Sequence, residues 1–326
     1  MIAWLIRRLV YAGLILIGVN LLTFALFFFV NSPEDMARAQ LGGKRVTPEA
    51  VQKWKQEHGY DRPLLWNGAA EGLRAKATDT IFFDKSVRLF AFQFGTSDQG
   101  RDIGFDIRTR MWASLAIALP VFLIGLAAYV TFALLLALFR ATAFDTAGVV
   151  VCVVLMSVSG LFYIIGGQYL VGKLLNLVPI SGYDGGLEAW RFLVLPVAIG
   201  VFAGIGSSTR WYRTIFLEEM NRDYVRTARA KGLSERRVLF RHVLQNAMIP
   251  ILTGVVVAIP LLFIGSLLTE AFFAIPGLGS YTIDAIQGQD FAALRAIVFL
   301  GSVLYIAGLI LTDLSYTWVD PRVRLT

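Results

Sequence analysis

The sequence predicts an all-α integral membrane protein, with six transmembrane helices and a small insertion after the first. Three observations carry that reading. Of 326 residues, 56% are hydrophobic and only 16% are charged, against roughly a quarter charged in a soluble domain. Mean hydropathy is +0.65. The charges are gathered into a few segments, and between them lie apolar runs of about 20 residues, enough to cross ~30 Å of hydrocarbon as helix.

In order, the runs cover residues 9–30, 112–139, 147–172, 192–212, 248–270 and 294–316. The first, 1–30 with its leading residues, follows Arg7-Arg8 and has the outline of a signal peptide. It is longer than a usual signal core and no small-x-small cleavage site follows it, so it reads as a retained anchor. Residues 31–110 form the insertion and mix acids with bases. Within it Thr47 is placed as an N-cap with Pro48 in the first turn, and Gly59 stops that helix just after His58. Residues 111–316 hold the other five helices as a core, and 317–326 form a tail. In the core, Gly200 and Gly204 let helix backbones approach closely, as do Gly160 and Gly166-Gly167.

Sidedness follows from the short loops. Arg7 and Arg8 precede the first run, Arg140 separates the second from the third, and Arg322 and Arg324 follow the sixth. The 213–247 loop carries Arg213, Arg222, Arg226, Arg229, Lys231, Arg236, Arg237 and Arg241. Loops of the other parity hold little beyond Lys173, Arg191 and Arg295. This bias puts both termini and the 213–247 loop in the cytoplasm. Long loops translocate largely regardless of charge, so 31–110 reads as a periplasmic subdomain. The net charge of +7 and pI near 9.6 are then a matter of topology. The lipid bilayer is the expected partner, and nucleic acid is not.

The most informative stretch is the basic segment from Asp223 to Asn246, lodged between apolar runs. Leu217 to Lys231 reads as one helix, acidic early at Glu218 and Glu219 and basic late, which complements the helix dipole. Gly232 ends it in a left-handed turn, and Ser234 caps a second helix running towards Asn246. Met220, Tyr224 and Ala228 recur along the first helix. Val238, Leu239 and Val243 make an apolar strip on the second. Two readings fit: a docking device for a cytoplasmic partner, or a basic amphipathic element lying on anionic headgroups.

The order of residues resembles one family closely. Arg226-Thr227-Ala228, three residues, Gly232, nine residues and His242-Val243-Leu244-Gln245 are similar to the ATPase-docking loop of permease subunits in binding-protein-dependent ABC importers. That loop reads Glu-Ala-Ala, three residues, Gly, nine residues, Ile-x-Leu-Pro. Ala228, Gly232 and Leu244 match. Arg in place of the leading Glu is usual in the dipeptide/oligopeptide (peptide, nickel, opine) subgroup, whose wording Tyr224 to Gly232 resembles. The final Pro is missing. Similar in turn are Gly59-Tyr-Asp-Arg-Pro63, Phe94-Gly95-Thr96-Ser97, Glu270-x-x-Phe273-x-x-Pro276-Gly277-Leu278-Gly279, and Asp313-x-x-Tyr316-x-x-x-Asp320-Pro321-Arg322-x-Arg324. Together they cover nearly the whole chain.

The resemblance implies a type I ABC importer permease fold in a bacterial inner membrane. It implies a second homologous permease subunit, two ABC ATPase subunits and a periplasmic substrate-binding protein as partners. The ATPase-docking residues would be Tyr224, Arg226, Thr227, Ala228, Lys231, Gly232, Leu233, Arg237 and His242, and the Glu270, Phe273, Pro276, Gly277 and Gly279 turn would form a periplasmic gate. The substrate implied is a di- or oligopeptide, with nickel, opines, glycosides or antimicrobial peptides as alternatives. Ser157, Ser159, Tyr163 and Gln168 are polar residues of the third run, which either line a pathway or bond neighbouring helices.

Other functions are narrowed by what the sequence lacks. It has no Gly-x-x-x-x-Gly-Lys-Ser/Thr phosphate loop, since Gly42-Gly43-Lys44 lacks the spacing. ATP hydrolysis would therefore come from partner subunits, and no enzymatic activity or cofactor is expected. Hydrolase signatures are likewise missing. Cys152 is the one cysteine, and His58 and His242 fall in different loops, so no metal site is expected. The runs carry almost no charge, which argues against a proton-coupled secondary transporter.

Overall fold

Apolar length sets the frame of the molecule, and the places where helices stop give it detail. The computed structural model describes residues 2–42, 46–184, 186 and 188–319. Helix α1 (Ile2–Ala25) continues as a π-helical turn to Val30, and four short helices follow: α2 (Pro33–Gln40), α3 (Pro48–Glu57), α4 (Leu73–Thr78) and α5 (Ile81–Lys85). Next come α6 (Ile103–Leu138), α7 (Ala143–Ser157), α8 (Gly160–Gly167) and α9 (Ala189–Met220). Then follow α10 (Asp223–Ala230), α11 (Glu235–Val238), α12 (Leu244–Leu261), α13 (Leu267–Phe272), α14 (Leu278–Gln287) and α15 (Phe291–Val319). The end of the C-terminal motif, Asp320 to Arg324, lies outside the described residues, as do Gly43 and Lys44.

Among the described residues, five stretches are long and apolar enough to cross a membrane: Ile6–Val30, Ile103–Leu138, Ala189–Met220, Glu235–Leu261 and Phe291–Ser315. A sixth exists only if Ala143–Ser157 and Gly160–Leu174 count together, and these bend by 87°. The straight span expected over 147–172 is thus two helices. Val158 and Ser159 are extended at the break, and just before it Ser157 turns its hydroxyl back onto the Val153 carbonyl at 2.7 Å, a bond that loosens helices. The run expected over 248–270 is also shifted. Its helix begins near Glu235 and ends at Leu261, where Pro260 has no donor to extend the ladder and Gly265 turns the chain at φ +76°.

The chain divides into two compact units. The first joins residues up to Met111 with Ser280–Ala307. Its core is Phe24 and Phe28 at the end of α1, Met36 and Ala37 of α2, Val51 and Trp54 of α3, Tyr60 and Ile81. Local signals set these elements: a Ser32–Asp35 capping box starts α2, and Thr47 caps α3 by accepting from the Ala50 amide. Helix α3 closes at His58, with Gly59 left-handed at φ +70°. Trp54 stacks on the His58 ring at 4.3 Å and on Tyr60 at 5.4 Å. Around this core the buried carboxylates of Asp98 and Asp290 take the Tyr60 hydroxyl and the backbone amides of Asp98, Ala292 and Ala293.

The second unit runs from Trp112 to Gly279 and resumes at Gly308. Helices α6, α7, α9 and α12 pack closely at glycines. A methyl at Gly206 would meet the Cys152 carbonyl and the Met156 amide, so α7 and α9 touch backbone to backbone. Gly200 and Gly204 seat Val121 and Tyr129 of α6, and the Tyr129 hydroxyl donates to the Val201 carbonyl at 2.7 Å. The spans are less bare of charge than the sequence suggests. Asp145 of α7 accepts both Arg213 Nε and Nη2, at 2.9 and 2.8 Å, across 68 residues of sequence. Asp145→Asn would leave that guanidinium without its carboxylate. Because the Arg213 side chain remains 21% exposed, the expected cost is about 2 kcal/mol, below that of a fully buried pair. A melting temperature lowered in detergent, and partly restored in Asp145→Asn/Arg213→Gln, checks it.

Candidate functional site

The basic segment begins with a break that sequence reasoning did not foresee. Met220 ends α9, Asn221 and Arg222 turn the chain, and α10 starts afresh at Asp223, so 217–231 is two helices. Helix α10 is pinned by its inner face: Val225 and Ala228 are buried against Phe216 of α9, Val238, Leu239 and Val243 beyond the turn, and Ala133, Leu134 and Ala137 of α6. Met220, Tyr224 and Leu233 pack on the same cluster. Tyr224 donates to Glu219 Oε2 at 2.6 Å, and burial together with that carboxylate pushes its phenol well above the usual range.

The turn after α10 is held at several points. Leu233 N donates to the Ala228 carbonyl and Gly232 N to that of Arg229. This is a Schellman pair, with Leu233 packed on the apolar cluster that contains Ala228. Gly232 sits left-handed at φ +76°, and a Cβ there would meet nothing within 4 Å. Arg229 grips Glu235 through Nε at 2.8 Å and Nη2 at 3.1 Å, bridging the turn. Ser234 is extended at the cap position but makes no side-chain cap bond; its carbonyl accepts the Val238 amide at 3.0 Å. Beyond it α11, a π-helical turn over Leu239–Val243 and α12 run without a gap from Glu235 to Leu261.

Of the residues singled out from sequence, Arg226, Thr227, Lys231, Gly232 and Arg237 are exposed, Tyr224, Leu233 and His242 are half-buried, and Ala228 is buried. An open groove beside them is lined by Ser234, Arg236, Arg237, Phe240, Arg241 and Gln245. Phe240, 55% exposed, was missed. Its signal was its phase, since it falls off the Val238, Leu239 and Val243 stripe.

At the other end of α12 the chain makes two turns around one carboxylate. Glu270 of α13 is 1% exposed and accepts the Ser266 amide at 3.0 Å. Ser114 of α6 accepts the Leu278 amide at 2.8 Å. Any side chain at Gly265 or Gly277 would run into Glu270 and Ser114, while Gly279 lies against the Ser266 and Leu267 backbone. Phe273 is buried and its carbonyl accepts the Gly182 amide at 2.8 Å; Pro276 is exposed. Glu270, with Ser114, Gly265, Ser266 and Thr269, closes off a cavity of ≈ 480 Å³ between α6, α9 and α12. Most of its wall is apolar, from Ile117, Val121, Phe122, Leu126, Pro196, Ala258, Leu261 and Leu262.

None of Ser157, Ser159, Tyr163 and Gln168 lines this cavity. Three of them bond backbone at breaks: Ser157 to Val153, Tyr163 to the Leu155 carbonyl at 2.6 Å, and Gln168 Nε2 to the Ile180 and Phe272 carbonyls at 3.0 and 2.9 Å. Ser159 is the exposed cap position of α8.

Two family patterns match most of the chain. Residues 105–325 match the inner membrane component of binding-protein-dependent transport systems. Residues 1–70 match the N-terminal part of such a component. The chain belongs to this family. A Brucella abortus (strain 2308) protein named as a peptide transport system permease is 31% identical over 99% of both chains. The dipeptide transport system permease proteins of Lactococcus lactis (strain MG1363) and Escherichia coli (strain K12) are 28% and 27% identical, over 100% and 99% of each chain. The protein is therefore a multi-pass inner-membrane permease subunit of a binding-protein-dependent ABC transporter, an all-α membrane fold as expected.

Gly279 and Gly232 of this permease should behave differently. Gly279→Ala puts a methyl 2.6 Å from the Ser266 carbonyl carbon, an overpacking worth about 2 kcal/mol. Gly232→Ala meets only its backbone penalty, about 1 kcal/mol. Thermal unfolding in detergent should rank them in that order.

Proposed function

We propose that this permease forms half of the pathway of an ATP-driven importer for di- or oligopeptides delivered by a periplasmic binding protein. The substrate reading rests on the relatives, named for peptide and dipeptide transport. A second, homologous permease subunit completes the pathway, and two ATPase subunits supply the hydrolysis. Both termini and the α10–α11 segment face the cytoplasm, in keeping with the Lys and Arg bias of the short loops; residues 31–110 form a periplasmic subdomain. The 111–316 core carries the transport machinery, and 317–326 is a cytoplasmic tail.

The observation that carries the docking assignment is the contrast between the two faces of α10. Its inner face is locked into the core by Val225 and Ala228, while Arg226, Thr227, Lys231, Gly232 and Arg237 stand free at a slim turn. A partner cleft can enclose such a turn without disturbing the fold. Movement of the ATPases then pushes on a rigid knob, and the unbroken run from Glu235 to Leu261 carries the push to the Ala258, Leu261 and Leu262 end of the cavity. Tyr224, Leu233 and His242 support the knob from beneath. In this reading the cavity is part of the substrate path, and the Glu270–Gly279 turns form its periplasmic gate. Ser157, Ser159, Tyr163 and Gln168, none of which lines the cavity, remain secondary candidates for the path on their polarity alone.

Gly232→Asp tests the assignment sharply. The position is open within the chain, so the variant should insert and fold while losing ATPase association. Affinity purification of the tagged permease in mild detergent, with mass spectrometry, should recover a second permease and Walker-motif ATPases with wild type only. Equal ATPase recovery with the variant would sink the docking role, and recovery of a folded chain alone in both cases would return the segment to a membrane-surface element.

A further inference from the structure

We propose that a cavity in the first unit is a binding site for a small oxyanion, a carboxylate or a phosphate. This inference does not rest on the docking assignment. The cavity holds ≈ 260 Å³ and is lined by Asp84 and Lys85 of α5, Arg88, the 93–96 segment, and Ala292 and Arg295 of α15. Three of those side chains are cations and one is an acid. Asp84 already serves two of them, Arg88 Nη1 at 2.8 Å and Lys85 Nζ at 3.7 Å.

Arg295 supplies the decisive observation. It is 4% exposed. Its Nε donates to the Phe291 carbonyl at 3.2 Å and its Nη2 reaches the Tyr60 hydroxyl at 3.5 Å. The guanidinium lies 4.8 Å from the Phe28 ring centre. Its Nη1 is buried with no hydrogen-bond partner. Nearby Asp98 and Asp290 temper the positive field, but Asp98 and Asp290 Oδ1 bond to Tyr60 and backbone amides, and Asp290 Oδ2, though buried and unpartnered, makes no bond to the guanidinium. A buried guanidinium bonded only to neutral oxygens is an expensive arrangement. An oxyanion in the cavity would provide the missing acceptor in its strongest form, a charge-assisted bond. Lys85 supports the picture: burial first, then Arg295, lowers its ammonium pKa, and a bound anion would relieve that crowding.

The test uses the full-length permease in detergent at fixed ionic strength, titrated with sodium acetate or inorganic phosphate against chloride and acetamide. The expected result is a saturable rise in melting temperature with at least one oxyanion and none with chloride or acetamide. Arg88 is 52% exposed, so Arg88→Gln should fold normally and bind about tenfold more weakly. A response that does not saturate, or an identical one in Arg88→Gln and Lys85→Gln, would overturn the proposal and leave the cavity to water. Nanodiscs of phosphatidylglycerol and of phosphatidylcholine separate the sources. Stabilisation by the anionic lipid that abolishes the acetate response assigns the site to a headgroup phosphate, and an acetate response equal in both lipids assigns it to a free anion.

Discussion

Every backbone amide and carbonyl within hydrocarbon must find a partner inside the protein, and the core of this permease is organised around the places where its helices cannot provide one. The chain interrupts helix at Val158–Ser159, between α12 and α13, and again at 273–277. Each interruption frees polar groups, and a side chain from elsewhere collects them. Tyr163 donates to the Leu155 carbonyl at the first, Glu270 takes the Ser266 amide at the second, and at the third Gln168 donates to the Phe272 carbonyl and Ser114 takes the Leu278 amide. Broken helices are tolerable only where such partners, or a cavity, replace the lipid. The 480 Å³ cavity lies beside two of these breaks, which is why the irregular backbone and the candidate path coincide.

The same accounting explains why the basic α10–α11 segment can be both well ordered and exposed. A Schellman turn and the Arg229–Glu235 clamp satisfy the end of α10 internally, so no partner is needed to keep it folded. Its exposed groups are then free for recognition. The π-helical turn at Leu239–Val243 introduces an offset between α11 and α12, a feature that often marks functional positions in helices. Here it lets the basic outer face and the apolar inner strip change register without a loop that would absorb motion.

Most of the frame was legible from hydropathy and from local chemistry. The Thr47–Pro48 start, the Gly59 and Gly232 stops and the Val238–Leu239–Val243 strip each depend on neighbours within a few residues. What escaped depends on distance. Nothing near Asp145 announces Arg213, and nothing near Arg295 announces Tyr60. The break at Val158–Ser159 escaped because apolar composition fixes that a segment is buried in lipid or protein, while direction is set by two extended residues. The bonds of Gln168 escaped through distance too, since its partners are carbonyls 12 and 104 residues away.

Buried charge in the spans would ordinarily suggest a proton path, and the disposition of these charges argues otherwise. Asp145 is fastened to Arg213 by two short bonds, and Glu270 is enclosed by turns whose glycines exist to admit it. The two are fixed by different neighbours and have no common partner among those bonds. A carboxylate that must load and release a proton needs alternative partners or access to water. These have fixed ones, and their service is to hold helices and turns in place. Carboxylates fastened in this way are poorly placed to carry a proton through a transport cycle. The turn after α10 is exposed and held by its own bonds, which is what the proposed ATPase contact requires.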